Sequence, residues 1–115
     1  MQQLTWKSVK KEVLNDKLWR KVVTGERAMV AQIALAKGCL VPVHQHESEQ
    51  ISCVMQGAIK FELEGREVLA HTGDVLVIPS NVPHSALALE DSLAMDIFSP
   101  IRQDWLDGSD SYLRK

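Results

Sequence analysis

Short apolar runs, most of them alternating with polar positions and each stopped by a turn residue, occupy the chain from residue 18 to residue 98. Leu18 to Val23 is β-branched and aromatic, and the Thr24-Gly25-Glu26-Arg27 that follows reads as a hairpin turn. Met29, Ala31, Ile33 and Leu35 alternate with mixed partners until Lys37-Gly38, the two-residue period of a half-buried strand. Val41 to His46 predicts a strand, with Pro42 marking an edge or a bulge. Further strands are expected over Ile51 to Met55, Ile59 to Leu63, Arg66 to Ala70, Val75 to Ile78, Ser85 to Leu89 and Leu93 to Phe98. Gly57, Gly65, the turn His71-Thr72-Gly73-Asp74, Pro79, Glu90-Asp91 and Ser99-Pro100 punctuate them. Roughly nine short strands at this spacing predict an all-β sandwich or barrel. Helix is expected in only two places. Lys7 to Asn15 has room for a turn or two, and Ile101 to Leu106, behind Pro100, for another that Gly108 would end.

Length and composition narrow the picture. A chain of 115 residues, 45% hydrophobic and 24% charged, predicts one folded domain over residues 1–115. A net charge of −2, with no basic block longer than Lys10-Lys11, argues against nucleic acid and anionic membrane surfaces as partners. No apolar stretch approaches the roughly 18–20 residues of a membrane span, and Met1-Gln-Gln-Leu-Thr-Trp6 shows no signal-peptide core. Cys39 and Cys53 are too far apart for a CxxC motif and are expected to be reduced, packed thiols, so the protein is read as cytoplasmic.

The chemistry sits in the middle. His44 and His46 are two residues apart on an expected strand, so both point to one face and can hold one ion together. Gln50 shares their parity and can add a neutral oxygen; Glu49 would turn inward instead if a bulge shifted the register. His84 follows Pro79 and Pro83 in a second Gly-bounded segment and makes a third imidazole. Three imidazoles and an amide leave the charge of a divalent transition metal (Ni, Zn, Mn or Fe) uncompensated. That favours Lewis-acid and proton-transfer chemistry over high-valent iron. On the last strand Asp96 and Phe98 share one face, and an Asp within an apolar alternation needs a partner or a task. Two readings stay open: a structural Asp96–Arg102 ion pair, or Asp96 as general acid/base with Arg102 clamping a carboxylate.

Both segments resemble the paired signature motifs of the cupin superfamily. The first places Gly38, His44, His46, Gln50 and Gly57 at the family spacing; the second places Gly73, Pro79 and His84, with Asn81 where Gly is usual. Asn tolerates a left-handed turn almost as well. The resemblance implies a double-stranded β-helix, a jelly-roll barrel with a metal in its lumen. It also implies a homodimer, often formed by lending an N-terminal strand, for which Trp19 to Val23 is apolar enough. The run Asp96-Ile-Phe98-Ser-Pro-Ile-Arg102-Gln-Asp104 further resembles the cupins of pectin and alginate breakdown that convert 4,5-unsaturated uronates to linear keto forms. That likeness implies metal ligands His44, His46, Gln50 and His84, with catalytic Asp96, Phe98 and Arg102. Where that family has a second polar amide, Ser52 is the inward residue here. The expected function is a metal-dependent isomerase (tautomerase) of small carboxylate-bearing sugar derivatives. The alternatives are a non-catalytic module that binds or senses a small ligand, and an Fe(II) dioxygenase acting on an enol or dicarbonyl.

Overall fold

Period-two burial governs the architecture. In the computed structural model, which describes residues 1–114, ten strands form: β1 (Lys11–Asn15), β2 (Leu18–Thr24), β3 (Met29–Leu35), β4 (Leu40–His44), β5 (Glu49–Gln56), β6 (Ala58–Leu63), β7 (Arg66–His71), β8 (Val75–Ile78), β9 (His84–Ala88) and β10 (Ser92–Ser99). They make two antiparallel sheets, one of six strands in the order β1-β2-β3-β10-β5-β8 and one of four in the order β4-β9-β6-β7. This is the expected all-β jelly roll. Along β10, Ser92, Ala94, Asp96 and Phe98 face inward, and along β5 so do Gln50, Ser52 and Val54. Facing them, Ile59 and Phe61 of β6 and Ala88 of β9 complete a continuous core with Leu18, Met29, Ala31 and Leu35. Each fully buried side chain of the size of Met29, Ile59 or Phe98 contributes about 1.5–3 kcal/mol.

Turn chemistry matches the strand ends. β4 is an edge strand whose pairing with β9 is irregular between Val41 and His44, so Pro42 has both features expected of it. Asn81 has φ 62°, the left-handed conformation for which Gly is usual.

Two expectations fail. Lys7 to Asn15 is not helical: a single 3-10 turn, Trp6–Ser8, precedes β1, which pairs antiparallel with β2. Val9 and Val13 are four apart, but Val13 is left exposed and Leu14 is the residue of β1 that is buried, so pairing with β2 outweighs the short helical pattern. Trp19 to Val23 is not available for lending, because β2 is paired on one side with β1 and on the other with β3 of its own chain. The expected terminal helix forms as α1 (Gln103–Asp107), two residues later than expected, and Gly108 ends it at φ 80°. Among the described residues no helix is long and apolar enough to cross a membrane.

Candidate metal centre

Three strands and one loop bring four donors to one end of the barrel. β4 ends at His44, the turn after it carries His46, β5 supplies Gln50 from its second residue, and β9 begins with His84. The antiparallel register sets His44 directly opposite His84, and Gln50 opposite Phe98. One ring nitrogen each of His44, His46 and His84 lie within 4.8 Å of one another. Gln50 is buried and Glu49 exposed, the outcome of an unshifted register.

The backbone selects the tautomer of every ring. His44 Nδ1–H donates to Pro42 O, His46 Nδ1–H to Ser48 O and His84 Nδ1–H to Val82 O, each at 2.8 Å. Each Nε2 therefore presents a lone pair to the centre. His84 Nε2 is buried without a hydrogen-bond partner. The Gln50 amide is oriented as well: Nε2 donates to Ser52 Oγ at 2.8 Å and to Asp96 Oδ2 at 3.3 Å, which turns Oε1 toward His46 Nε2 at 3.0 Å. Two acceptors facing each other repel unless a cation lies between them. The donor set thus fits a divalent transition metal held by His44, His46 and His84 with Gln50 Oε1 as a neutral fourth donor.

Electrostatics agree with that fit. Burial pushes His44 down to about 4 against the upward pull of its Pro42 bond, and the neighbouring His84 and Arg102 push it the same way as burial. Burial, reinforced by the charge of Arg102, takes His46 to about 4, and burial also lowers His84. All three are therefore neutral at physiological pH, the state a metal ligand requires. Burial raises the Asp96 carboxyl to about 6, against the Ser52 hydroxyl and Arg102, which pull it down. Asp96 Oδ1 has no partner, and the carboxyl lines a cavity of about 60 Å³ shared with His44, Gln50, His84, Phe98 and Arg102.

Arg102 departs from the ion-pair reading of its role. It does not pair with Asp96. Instead Nε and Nη2 form a fork on Asp104, at 2.9 and 2.7 Å, and Nη2 also donates to the Tyr112 hydroxyl. It is buried rather than at an open rim, but it does line the cavity. Phe98 lies beneath it, with the guanidinium 5.2 Å from the ring centroid, and meets His46 edge-on.

Several residues of this region went unread in the sequence. Arg20 is buried, pairs with Asp110 at 2.7 Å and stacks over Trp105 at 4.2 Å; Arg102 lies on the same indole at 4.9 Å. Arg20 has the inward parity of Leu18 and Val22, the one local sign that its charge had to find a partner. Tyr112 stacks on His44, with centroids 4.5 Å apart and planes 23° apart. Ser48, also buried, donates to Pro100 O at 2.6 Å and ties the first histidine turn to the tail. His71 is exposed, and Lys60 pairs with Glu67 across the outer face of the β6–β7 hairpin.

Similar proteins bear on the same site. KdgF from Halomonas sp. is 36% identical, with TM-score 0.80 over 86% of this chain and 94% of that one. An RmlC-like cupin from Shewanella frigidimarina NCIMB 400 is 26% identical, with TM-score 0.84 over 89% and 93%. Oxalate decarboxylase from Bacillus subtilis, in a study of its Mn(II) centres, shares the fold at 18% identity and TM-score 0.77; the match covers 88% of this chain and 30% of that one. No curated protein sequence matches. The cupin domain model matches residues 31–99, a span that begins in β3, ends with β10 and takes in every candidate ligand. This chain is a member of the cupin family.

Proposed function

We propose that the protein is a metal-dependent isomerase (tautomerase) that converts small, carboxylate-bearing enols, with unsaturated uronates as the leading class, to their keto forms. The observation that carries this reading is Asp96: a buried carboxyl with a value near 6, one oxygen unpartnered toward the cavity, the other bonded to the amide of Gln50. Likeness to the uronate-ketonising cupins over residues 96–104, and 36% identity with KdgF, support the substrate class.

A divalent metal on the three imidazoles and Gln50 Oε1 would supply Lewis acidity toward an enol or carbonyl oxygen. Asp96 Oδ1 takes the enol proton and returns it to carbon, and a group that titrates near 6 does both at neutral pH. Gln50 holds Asp96 at the metal end of the cavity, and Arg102 receives the carboxylate through a guanidinium held in orientation by its two bonds to Asp104. Phe98 and Trp105 wall off water on that side.

The test is to load the protein separately with nickel, zinc, manganese and iron(II) and follow loss of ultraviolet absorbance from unsaturated uronates. Asp96→Asn should lower turnover by roughly two to four powers of ten while metal content is unchanged. Full turnover by that variant would remove Asp96 from the chemistry. Binding without turnover would favour the sensing module, and oxygen consumption with iron(II) the dioxygenase. The free thiols Cys39 and Cys53 fit a reducing, cytoplasmic setting. A homodimer joined through an edge strand such as β1, which exposes Val13, is part of the same proposal. Gel filtration at micromolar concentration should give twice the mass of one chain; a monomer there would end it.

A further inference from the structure

We infer that Tyr112 is a specificity-determining residue that holds the anion seat on Arg102 and must yield it before a six-carbon acid can bind. This rests on the proposed site but not on the reaction assigned to it.

The geometry makes Tyr112 a ligand mimic. Its ring lies nearly parallel to His44, and its hydroxyl oxygen accepts from Nη2 of Arg102, the guanidinium proposed to receive a substrate carboxylate. The cavity beside it, about 60 Å³, is well under the ~150 Å³ of an engineered cavity that takes benzene, so a uronate does not fit with Tyr112 in place. Below the metal level the lining is hydrocarbon, with Ile33, Leu35, Ile59 and Phe61, and offers a sugar's hydroxyls no partners. A larger acid therefore gains its room at the Tyr112 end.

The segment that carries Tyr112 is a strap with its own fastenings. Residues Ser111–Leu113 form one 3-10 turn. Buried Asp110 precedes it, bonded to Arg20 and, at 3.0 Å, to Arg114; Asn15 Nδ2 donates to Leu113 O at 3.1 Å. Asp110 fastens this turn before Tyr112 and buried Leu113 fastens it after, so Tyr112 is released by opening the one turn and drawing Leu113 from the edge of the core, a local unfolding that leaves the strand pairing intact. What the strap gives up at Arg102 is a neutral phenol contact. A carboxylate brings a full negative charge and two acceptor oxygens to the same guanidinium where the phenol brings neither, so an acid competes for this seat and a neutral sugar does not.

Titration calorimetry of zinc-loaded protein with galacturonate as the probe tests this, together with hydrogen exchange at the Leu113 and Arg114 amides. Tyr112→Phe keeps the stack and removes the oxygen from Arg102; it should tighten galacturonate roughly three- to tenfold. Arg114→Ala loosens the strap at a half-exposed residue outside the cavity and should act in the same direction. In the wild type, galacturonate should speed exchange at both tail amides, while galactose should bind to none of these proteins and leave exchange unchanged. Weakened or unaltered binding in Tyr112→Phe, binding with no change in tail exchange, or no binding by any variant would each overturn the inference. Tighter binding with no turnover of unsaturated uronates would fail the proposed reaction alone. Turnover with a KM untouched by Tyr112→Phe would fail the gate alone.

Discussion

At the scale of single residues, the choice of Gln at position 50 organises the site. Its Nε2 is 3.3 Å from Asp96 Oδ2, so one amide both offers an oxygen to a metal and steadies the carboxyl that is to move protons. Gln50→Glu would put a carboxylate oxygen where that N–H now stands. Two carboxyls sharing a site cannot both ionise cheaply, so Asp96 would hold its proton well above its present value near 6. The expected outcome is tighter metal retention from the anionic ligand and a fall in neutral-pH turnover of roughly tenfold or more. Competition with a chelator and a pH–rate profile measure the two effects. Looser metal with an unchanged profile would contradict this account. Parity with His44 and His46 and the motif spacing pointed to Gln50 and left Glu49 open; β4 ends at His44, and it is the unbroken register of β5 from Gln50 onward that puts Gln50 inside. Arg102's true partners were not legible: Asp104 is two residues away but Tyr112 is ten, and the fork depends on how the tail folds back.

At the scale of elements, sequence reading succeeded where apolar alternation and a turn residue coincide. β8 runs over the expected Val75–Ile78, and β10 exceeds its expected span by one residue at each end. It failed at β1, where Lys11, Glu12 and Asn15 give an edge strand little to alternate and the element exists because β2 pairs with it. Gly57 shows how one turn holds both sheets in place. It lies between β5 and β6 at φ 100°, and a Cβ there would come within 2.6 Å of Asp91 O and 2.8 Å of Ser92 Cα. Backbone cannot step aside as a side-chain tip can. Gly57→Ala should therefore cost about 3 kcal/mol, strain and overlap together. Gly65, at φ 71° with nothing near its missing Cβ, carries the conformational cost alone, about 1–2 kcal/mol for Ala. Denaturant midpoints of the two variants, at equal slope, separate the effects. Equal losses would mean that the approach of Asp91 and Ser92 is not what requires glycine.

At the scale of the whole molecule, the barrel shields its histidines from protons, and this has a sign that can be worked out for the metal-free protein. His44 and His46 hold values near 4 when folded and an ordinary value near 6.5 when unfolded. Between those limits the unfolded chain binds more protons, so these groups make stability rise with pH and drain it on acidification below about 6.5. Asp96 acts oppositely: raised to about 6, it is protonated when folded and ionised when unfolded from its ordinary value upward, so it favours the fold as pH falls through 6. Three lowered imidazoles outnumber one raised carboxyl, and net stability should fall between pH 6.5 and 4. The same shielding governs metal retention, since a protonated imidazole cannot ligate. His44 and His46, neutral down to about pH 4, meet little proton competition at pH 6, where an exposed histidine cluster would already be losing its ion. Zinc content after equilibration should therefore stay flat from pH 8 to about 5 and collapse near 4, in step with loss of the fold. Release with a midpoint at pH 6 or above, while the sheet signal persists, would show that solvent reaches the three rings freely and that the closed barrel end does not protect them.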